Sequence, residues 1–345
     1  MNSLPRPTVS IVTFDSADYI VNCLRSLLDQ TLPPEEIIVT DNASTDGSAE
    51  LVERYFPGGT VRLLRNHRNQ GFSLPHNQAI HSTRSKYILV LNPDTCLNAD
   101  FLECLTAFME AHPGLGSATG KLRRMQEDAT PVRMDLSYVL DSTGMYFMPN
   151  QRHADRGAGQ ADTGQFEQRE LVFGTTAAAG FYRRSMLEDI ALQQDFFDTG
   201  FFVYREDVDL AWRSILYGWS CGYDPAAVGY HVRFGIPERR HLLTSEVNYH
   251  SVKNRFLLRI KNMPLRIYAR HFAAISARDL LVLGYALLKE HRSLDAFRFL
   301  LRCRGEYIGY RREIGRKSRI RPGEIEKWIG WGPRAFPFCP PRAPV

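Results

Sequence analysis

The sequence predicts an α/β fold: a mostly parallel central sheet with flanking helices, followed by a basic helical extension at the C-terminus. Three observations predict it. Short β-branched or apolar runs alternate with helical stretches through the first third of the chain. Polar turns rich in Asp and Asn follow those runs, where the carboxyl ends of parallel strands would lie. The charge is divided: from Tyr230 to Val345 there are 24 Lys and Arg against 9 Asp and Glu, although the 345-residue chain carries only +5.

Val9 to Thr13 is a β-branched first strand. Asp15 or Ser16 is placed to cap the helix after it, whose Ile20, Cys23, Leu24, Leu27 and Leu28 share a face. Glu36 to Thr40 is a second strand, Asp41 to Gly47 a polar turn, Ser48 to Tyr55 a helix and Val61 to Leu64 a third strand. Pro75 to Thr83 reads as helix, Tyr87 to Leu91 as the most apolar strand, and Ala99 to Ala111 as helix. Lys121 to Glu170 reads as a long irregular loop over the sheet. Cys221 to Tyr223 is a short strand ending in the turn Asp224-Pro225. Beyond Met263 the pattern is helical, with Leu265, Tyr268, Phe272 and Ile275 on one stripe, and the proline-rich tail from Pro337 is expected to be loose.

Composition narrows the classes. With 44% apolar and 23% charged residues the chain is neither disordered nor fibrous. Its six cysteines form no CxxC pair, so neither a disulfide framework nor a structural zinc site is expected, and a reducing cytoplasmic setting is the simpler one. The N-terminus lacks an apolar signal core, and the longest C-terminal apolar run, Leu280 to Leu288, is far short of the ~20 residues a membrane span needs. No GxGxxG follows Val12, which argues against a dinucleotide dehydrogenase, and no Gly-rich phosphate loop follows the first strand, which argues against a pyrophosphorylase.

Four places carry chemistry. Asp41, followed by Asn42-Ala43-Ser44-Thr45, ends a strand; its carboxylate suits a base N–H or a ribose hydroxyl, or serves a capped turn. Asp94, in Asn92-Pro93-Asp94, follows the most apolar strand; one carboxylate with a diphosphate can hold a hard divalent cation, and the same residue would equally serve a turn. Glu206, Asp207 and Asp209 crowd a helix start, where the dipole favours acids and where one of them could act as a general base. His231 could add a nitrogen ligand beside Asp94, or be structural.

Taken in order, Val9 to Asp15, Asp41 to Ser48, Asn69-Gln70-Gly71-Phe72 with Asn77, Asn92 to Thr95, Ala179 to Arg184 and Tyr204 to Arg213 resemble the family 2 glycosyltransferases, particularly their rhamnosyltransferase-like branch. The resemblance runs from Thr8 to Asn262. It implies a GT-A (Rossmann-like) catalytic domain over residues 1–262 with the basic helical extension at 263–345, a nucleotide-diphospho-sugar donor, a divalent cation (Mg²⁺ or Mn²⁺) and inversion at the anomeric carbon. By position, Thr13, Phe14, Asp41, Asn42, Gly71 and Asn92 fall on the donor side, Asp94 and His231 on the metal, and Asp207 on the catalytic base. Asp15 stands where the family has Asn, and brings a negative charge near the expected diphosphate unless it only caps the helix. The implied acceptor is a glycan or lipid-linked glycan of cell-surface synthesis, with the enzyme cytoplasmic. The basic extension fits the inner face of an anionic membrane, or a solvated helical face; no nucleic-acid motif accompanies it. The alternative of another class is a catalytically inactive nucleotide- or membrane-binding scaffold of the same fold.

Overall fold

The computed structural model describes residues 3–125, 138–233 and 245–344. Its elements are β1 (Thr8–Thr13), α1 (Ala17–Leu28), β2 (Glu36–Asp41), α2 (Ser48–Tyr55), β3 (Val61–Arg65), α3 (Ser73–His81), β4 (Tyr87–Leu91), β5 (Thr95–Leu97), α4 (Phe101–Ala111) and β6 (Leu115–Arg124). There follow β7 (Leu140–Ser142), β8 (Met145–Phe147), β9 (His153–Asp155), β10 (Glu170–Val172), β11 (Ala179–Arg183), α5 (Arg184–Ile190), α6 (Glu206–Leu216) and β12 (Ser220–His231). The C-terminal part holds α7 (Ser245–Asn262), α8 (Leu265–Arg270), α9 (Phe272–Leu288), α10 (Asp295–Lys317), α11 (Pro322–Glu326) and β13 (Ala335–Pro337).

The central sheet has the order β13-β10-β12-β6-β11-β4-β1-β2-β3, with β5 on β12 and β7 on β6. Its N-terminal half, β4-β1-β2-β3, is parallel as the strand–helix alternation predicts. Beyond it β11 enters antiparallel to both β4 and β6, while β6 and β12 run parallel to each other. Side chains of β4 alternate between two cores: Ile88 and Val90 on one face, Tyr87, Leu89 and Leu91 on the other, all fully buried. That two-sided burial is why β4 reads as a continuous apolar run.

Several local expectations change. The helix start of α1 is capped by the loop after β2, not by Asp15: Asp46 Oδ2 accepts from Ala17 N–H at 2.8 Å and Ser48 Oγ from Ser16 N–H at 2.8 Å. The stretch read as a loop from Lys121 to Glu170 contains the end of β6 and strands β7, β8 and β9, with residues 126–137 outside the described part. These strands are three residues long, and the Asp-, Arg- and Gly-rich stretch around them hides them in the sequence. The strand expected to stop at Tyr223 continues to His231, with a register shift between Tyr223 and Val228 that absorbs Pro225.

The extension packs on the same core as α6 and α7: Ile267, Ile275, Tyr307, Ile314 and Ile325 are buried there. On the expected stripe only Ile275 is buried, whereas Leu265 and Phe272 are exposed. The tail is not loose. Pro337 pairs opposite Glu170, Phe338 packs on Phe108 and His112, and a Cβ on Gly114 would lie 2.2 Å from the Pro341 carbonyl oxygen.

A buried charge network ties α6 to α7. Lys261 Nζ lies 2.5 Å from Asp198 and 2.8 Å from Asp209, and Arg213 Nε lies 2.9 Å from Asp209, with Lys261, Asp209 and Arg213 essentially without exposure. Removing one partner from such a set leaves buried charge uncompensated. Lys261→Met is expected to cost about 3–5 kcal/mol of stability, measured by equilibrium urea unfolding; a loss under about 1 kcal/mol would mean the network is solvated.

Candidate active site

Strands β1 and β2 end side by side, with Thr13 opposite Asp41. Asp41 Oδ2 accepts from Ser44 N–H at 3.2 Å, which holds the following turn. Its Oδ1 and the Thr13 hydroxyl are buried and have no hydrogen-bond partner among the described residues. Buried polar atoms are seldom left so, and each is a ready contact for a ligand's donor. Phe14 beside them is 49% exposed, an aromatic face on which a base can stack.

The neighbouring Asn42 spends its side chain inside the protein. Its Nδ2 donates to Gly71 O at 2.7 Å and its Oδ1 accepts from Asn66 Nδ2 at 2.9 Å. Gly71 has φ +77, and a Cβ there would lie 2.5 Å from the Phe202 carbonyl oxygen. The geometry of both residues is thus that of wall builders at the cleft. Asp15 bonds the turn after β2: its Oδ1 accepts from Thr45 N–H at 2.7 Å, and its own N–H donates to Ser44 Oγ at 3.0 Å. Its charge is taken up in latching β1 to the turn after β2. Asn77 acts similarly at longer range, exchanging two hydrogen bonds with the backbone of Phe197.

The second group forms at the end of β4. Antiparallel pairing of β5 with β12 sets His231 opposite Thr95, one residue after Asp94. His231 Nε2 lies 3.4 Å from Asp94 Oδ1 and 3.4 Å from Asn92 Nδ2, and Val232 N–H donates to the Asp94 carbonyl at 3.0 Å. On its other side His231 Nδ1 lies 2.9 Å from Asp141 Oδ2, and Arg233 holds Asp141 at 3.0 Å. Burial would lower the imidazole pKa, but Asp94 and Asp141 outweigh it and push it up to about 10. Asp141 is held below the usual carboxylate range: burial opposes ionisation, and the His231 hydrogen bond with the His231 and Arg233 charges overcomes it.

These residues fit a divalent cation. Asp94 Oδ1 is buried without a hydrogen-bond partner among the described residues, and it faces an imidazole nitrogen oriented by a carboxylate on the far side. Among the described residues no group of three or more His, Cys, Asp or Glu is arranged to hold a metal, so the rest of a coordination shell would have to come from a bound anion or water.

The third group is the start of α6. Asp207 is partly buried; its Oδ1 accepts from Val208 N–H at 2.7 Å and its Oδ2 from Ala177 N–H at 3.3 Å. Burial pushes its pKa up to about 6, with Asp155 adding repulsion and the two N–H groups opposing the rise. Glu206 is buried deeper, and burial plus the charge of Asp207 push it up to about 8. Asp209 goes the other way: burial disfavours its charge, but Lys261 and Arg213 hold it low. Three acids within four residues therefore have three different protonation regimes.

A dipeptide joins the second and third groups. Ala177 N–H holds Asp207, while Ala178 C=O accepts from Asn92 N–H at 3.0 Å and from Thr95 Oγ1 at 3.3 Å. Asp207 and the Asn92–Asp94 turn are thereby brought to one place. Asp141 was missed from sequence because it lies in the stretch read as loop; an Asp next to Ser-Thr-Gly looks like any turn residue.

A family model described as "Glycosyl transferase family 2" matches residues 8–191. A putative teichuronic acid biosynthesis glycosyltransferase, TuaG of Bacillus subtilis (strain 168), is 30% identical over 130 residues, covering 37% of this chain and 51% of that protein. The succinoglycan biosynthesis protein ExoO of Rhizobium meliloti (strain 1021) is 26% identical over 240 residues, 68% of this chain and 63% of that one. The chain thus spans about half to two thirds of the length of these two relatives. Among solved structures, TarS 1-349 of S. aureus in complex with UDP-GlcNAc superimposes with TM-score 0.53 at 18% identity, covering 96% of this chain and 99% of that one. GalNAc-T7 with UDP, GalNAc and Mn²⁺ gives TM-score 0.57 at 12% identity, covering 75% and 49%. At these identities the likeness is one of fold, and it establishes the GT-A arrangement.

Carboxylates behind a ligating imidazole typically govern metal affinity by about 10–100-fold. Asp141→Asn is expected to weaken Mn²⁺ binding by that factor, read by calorimetry or by the paramagnetic resonance of free Mn²⁺. Unchanged binding would take Asp141 out of the site.

Proposed function

Because the chain belongs to glycosyl transferase family 2, we propose that it transfers a sugar, with inversion, from a nucleotide-diphospho-sugar to an acceptor hydroxyl in cell-surface polysaccharide or glycolipid synthesis. The observation that carries the proposal is the placement of Asp207, with a pKa of about 6, one dipeptide away from the Asn92–Asp94 turn. The relatives named for teichuronic acid and succinoglycan biosynthesis support the cell-surface setting, and the neighbours solved with UDP-GlcNAc or with UDP and Mn²⁺ support the donor class and the cation.

In this reading Phe14 stacks on the base, while Asp41 Oδ1 and the Thr13 hydroxyl accept or share hydrogen bonds from base or ribose. Asn42 and Gly71 hold the wall, and Asn92 lines the diphosphate side next to His231. Asp94 and His231 would hold the divalent cation, which supplies Lewis-acid stabilisation of charge on a departing diphosphate. Asp207 takes the proton of the acceptor hydroxyl. The acceptor oxygen bonds to the anomeric carbon as the bond to the diphosphate oxygen breaks on the opposite face. Glu206, protonated near neutral pH, keeps a second negative charge away from the base.

The base works as its carboxylate. Its active fraction rises with pH through about 6 and is flat above, so kcat/KM is expected to fall about tenfold per unit below that value. Asp207→Asn is expected to abolish this limb and lower kcat by about 10²–10⁴-fold with donor affinity kept. The donor is first chosen by a thermal-shift screen of nucleotide sugars with Mg²⁺ or Mn²⁺, deoxythymidine-diphosphate rhamnose included. Full turnover in Asp207→Asn removes it from the mechanism.

The extension from 263 to 345 is proposed to rest on an anionic membrane surface. Among the described residues no helix is long and apolar enough to cross a membrane. Instead α9 leaves Leu280, Leu281, Leu287 and Leu288 between 58% and 77% exposed, in an extension whose arginines lie mostly outside α9, on the segments before and after it. Because the extension supplies core residues, point variants are better probes than truncation. Leu281→Glu with Leu288→Glu is expected to abolish flotation with phosphatidylglycerol vesicles; flotation equal to the parent protein's rejects the surface.

A further inference from the structure

The backbone leading into α6 is held in an unfavourable shape. Phe202, Tyr204 and Arg205 have φ of 63, 68 and 72, a region that side-chain-bearing residues rarely occupy. Three such residues within four persist only where surrounding contacts over-determine them. The Asp207 carboxylate stands two residues beyond, so the direction in which α6 leaves this segment decides where the carboxylate points.

The restraint comes from one face of α7. Asn254, which has no exposure, places its Nδ2 within reach of three carbonyls, Phe201 at 2.8 Å, Val203 at 2.8 Å and Tyr204 at 2.7 Å, so that one of its two N–H hydrogens is shared between two of them. The preceding residue, Lys253, donates from Nζ to the Gly200 carbonyl at 2.6 Å, and one turn before Asn254 the His250 ring stacks on Phe202 at 4.6 Å and 12°. The remaining carbonyl, that of Phe202, accepts from Phe72 N–H at 2.6 Å. Every carbonyl from Gly200 to Tyr204 is thus claimed from outside the segment. Residues 250, 253 and 254 share a helix face, so the helix presents the clamp as a unit. Asn254 Oδ1, in turn, is buried without a partner among the described residues, a destabilising placement that its two N–H donors must outweigh.

We propose that Asn254 is a positioning residue, which sets the Asp207 carboxylate by holding the strained segment Phe201–Arg205. The proposal rests on Asp207 being the base. Asn254 touches neither donor nor acceptor in this reading, so its loss should show in kcat and not in donor KM. It should also act only through Asp207.

The test is a double-mutant cycle on the full chain, using the nucleotide sugar selected by the screen above. Asn254→Ala is expected to lower kcat about tenfold or more while donor KM and nucleoside-diphosphate affinity stay within about twofold. In the Asp207→Asn background it should lower kcat no further, because the group it positions is already gone. Asn254→Ser, which keeps one short donor, should fall between. Wild-type kcat in Asn254→Ala overturns the proposal. So does an equal further loss in the Asp207→Asn background, or a parallel loss of nucleotide affinity in both Asn254 variants, either of which marks a general structural role. If Asp207→Asn itself retains turnover, the base assignment fails, and that result is separate from any outcome at Asn254.

Discussion

Two hydrogen bonds at one dipeptide join the two acidic groups of the candidate site. The N–H of Ala177 restrains Asp207 at the head of α6, and the C=O of Ala178 restrains Asn92 at the end of β4. The dipeptide can do both because it leads into β11, which is wedged antiparallel between β4 and β6 in the middle of the sheet. A peptide unit so placed has little freedom to drift, since its neighbours are paired on both edges. Asp207 and the Asn92–Asp94 turn come from positions more than a hundred residues apart, and they share this one point.

Electrostatics then divides the work. The same stretch of α6 holds a carboxylate pushed up to about 6, another pushed higher by burial and by its neighbour, and a third held down by Lys261 and Arg213. Depth explains the division: Asp207 remains partly accessible, Glu206 is buried without a counter-ion among the described residues, and Asp209 is buried against two cations. At the other group, His231 bridges Asp94 and Asp141, so the imidazole sits between two carboxylates.

The basic extension belongs to this machinery more closely than its composition suggests. Asp279 of α9 holds Arg255 and Arg259 of α7 at 2.6–2.9 Å, and Arg255 and Arg259 in turn reach Asn150 and Gln151 between β8 and β9. Tyr307 of α10 lies 3.3 Å from Asp198, the partner of Lys261. The outer helices are thus bonded to α7, the helix that also holds the segment before Asp207.

Much was legible in the sequence itself. The N-terminal strands and helices were readable because each carries its own periodicity, and Asp41, Asp94 and Asp207 stood out because carboxylates at the ends of apolar strands and at helix starts serve turns, helix dipoles or ligands. The charge division along the chain was also plain. Tertiary structure decided the rest. That Asp15 latches a turn, that Asp141 backs His231, and that Asn254 grips three carbonyls could not be read, because each depends on a partner dozens of residues away whose own segment has no distinctive pattern. Local sequence encodes periodicity and caps; which buried donor meets which distant acceptor is settled only when the sheet closes and every polar group it buries must find a partner.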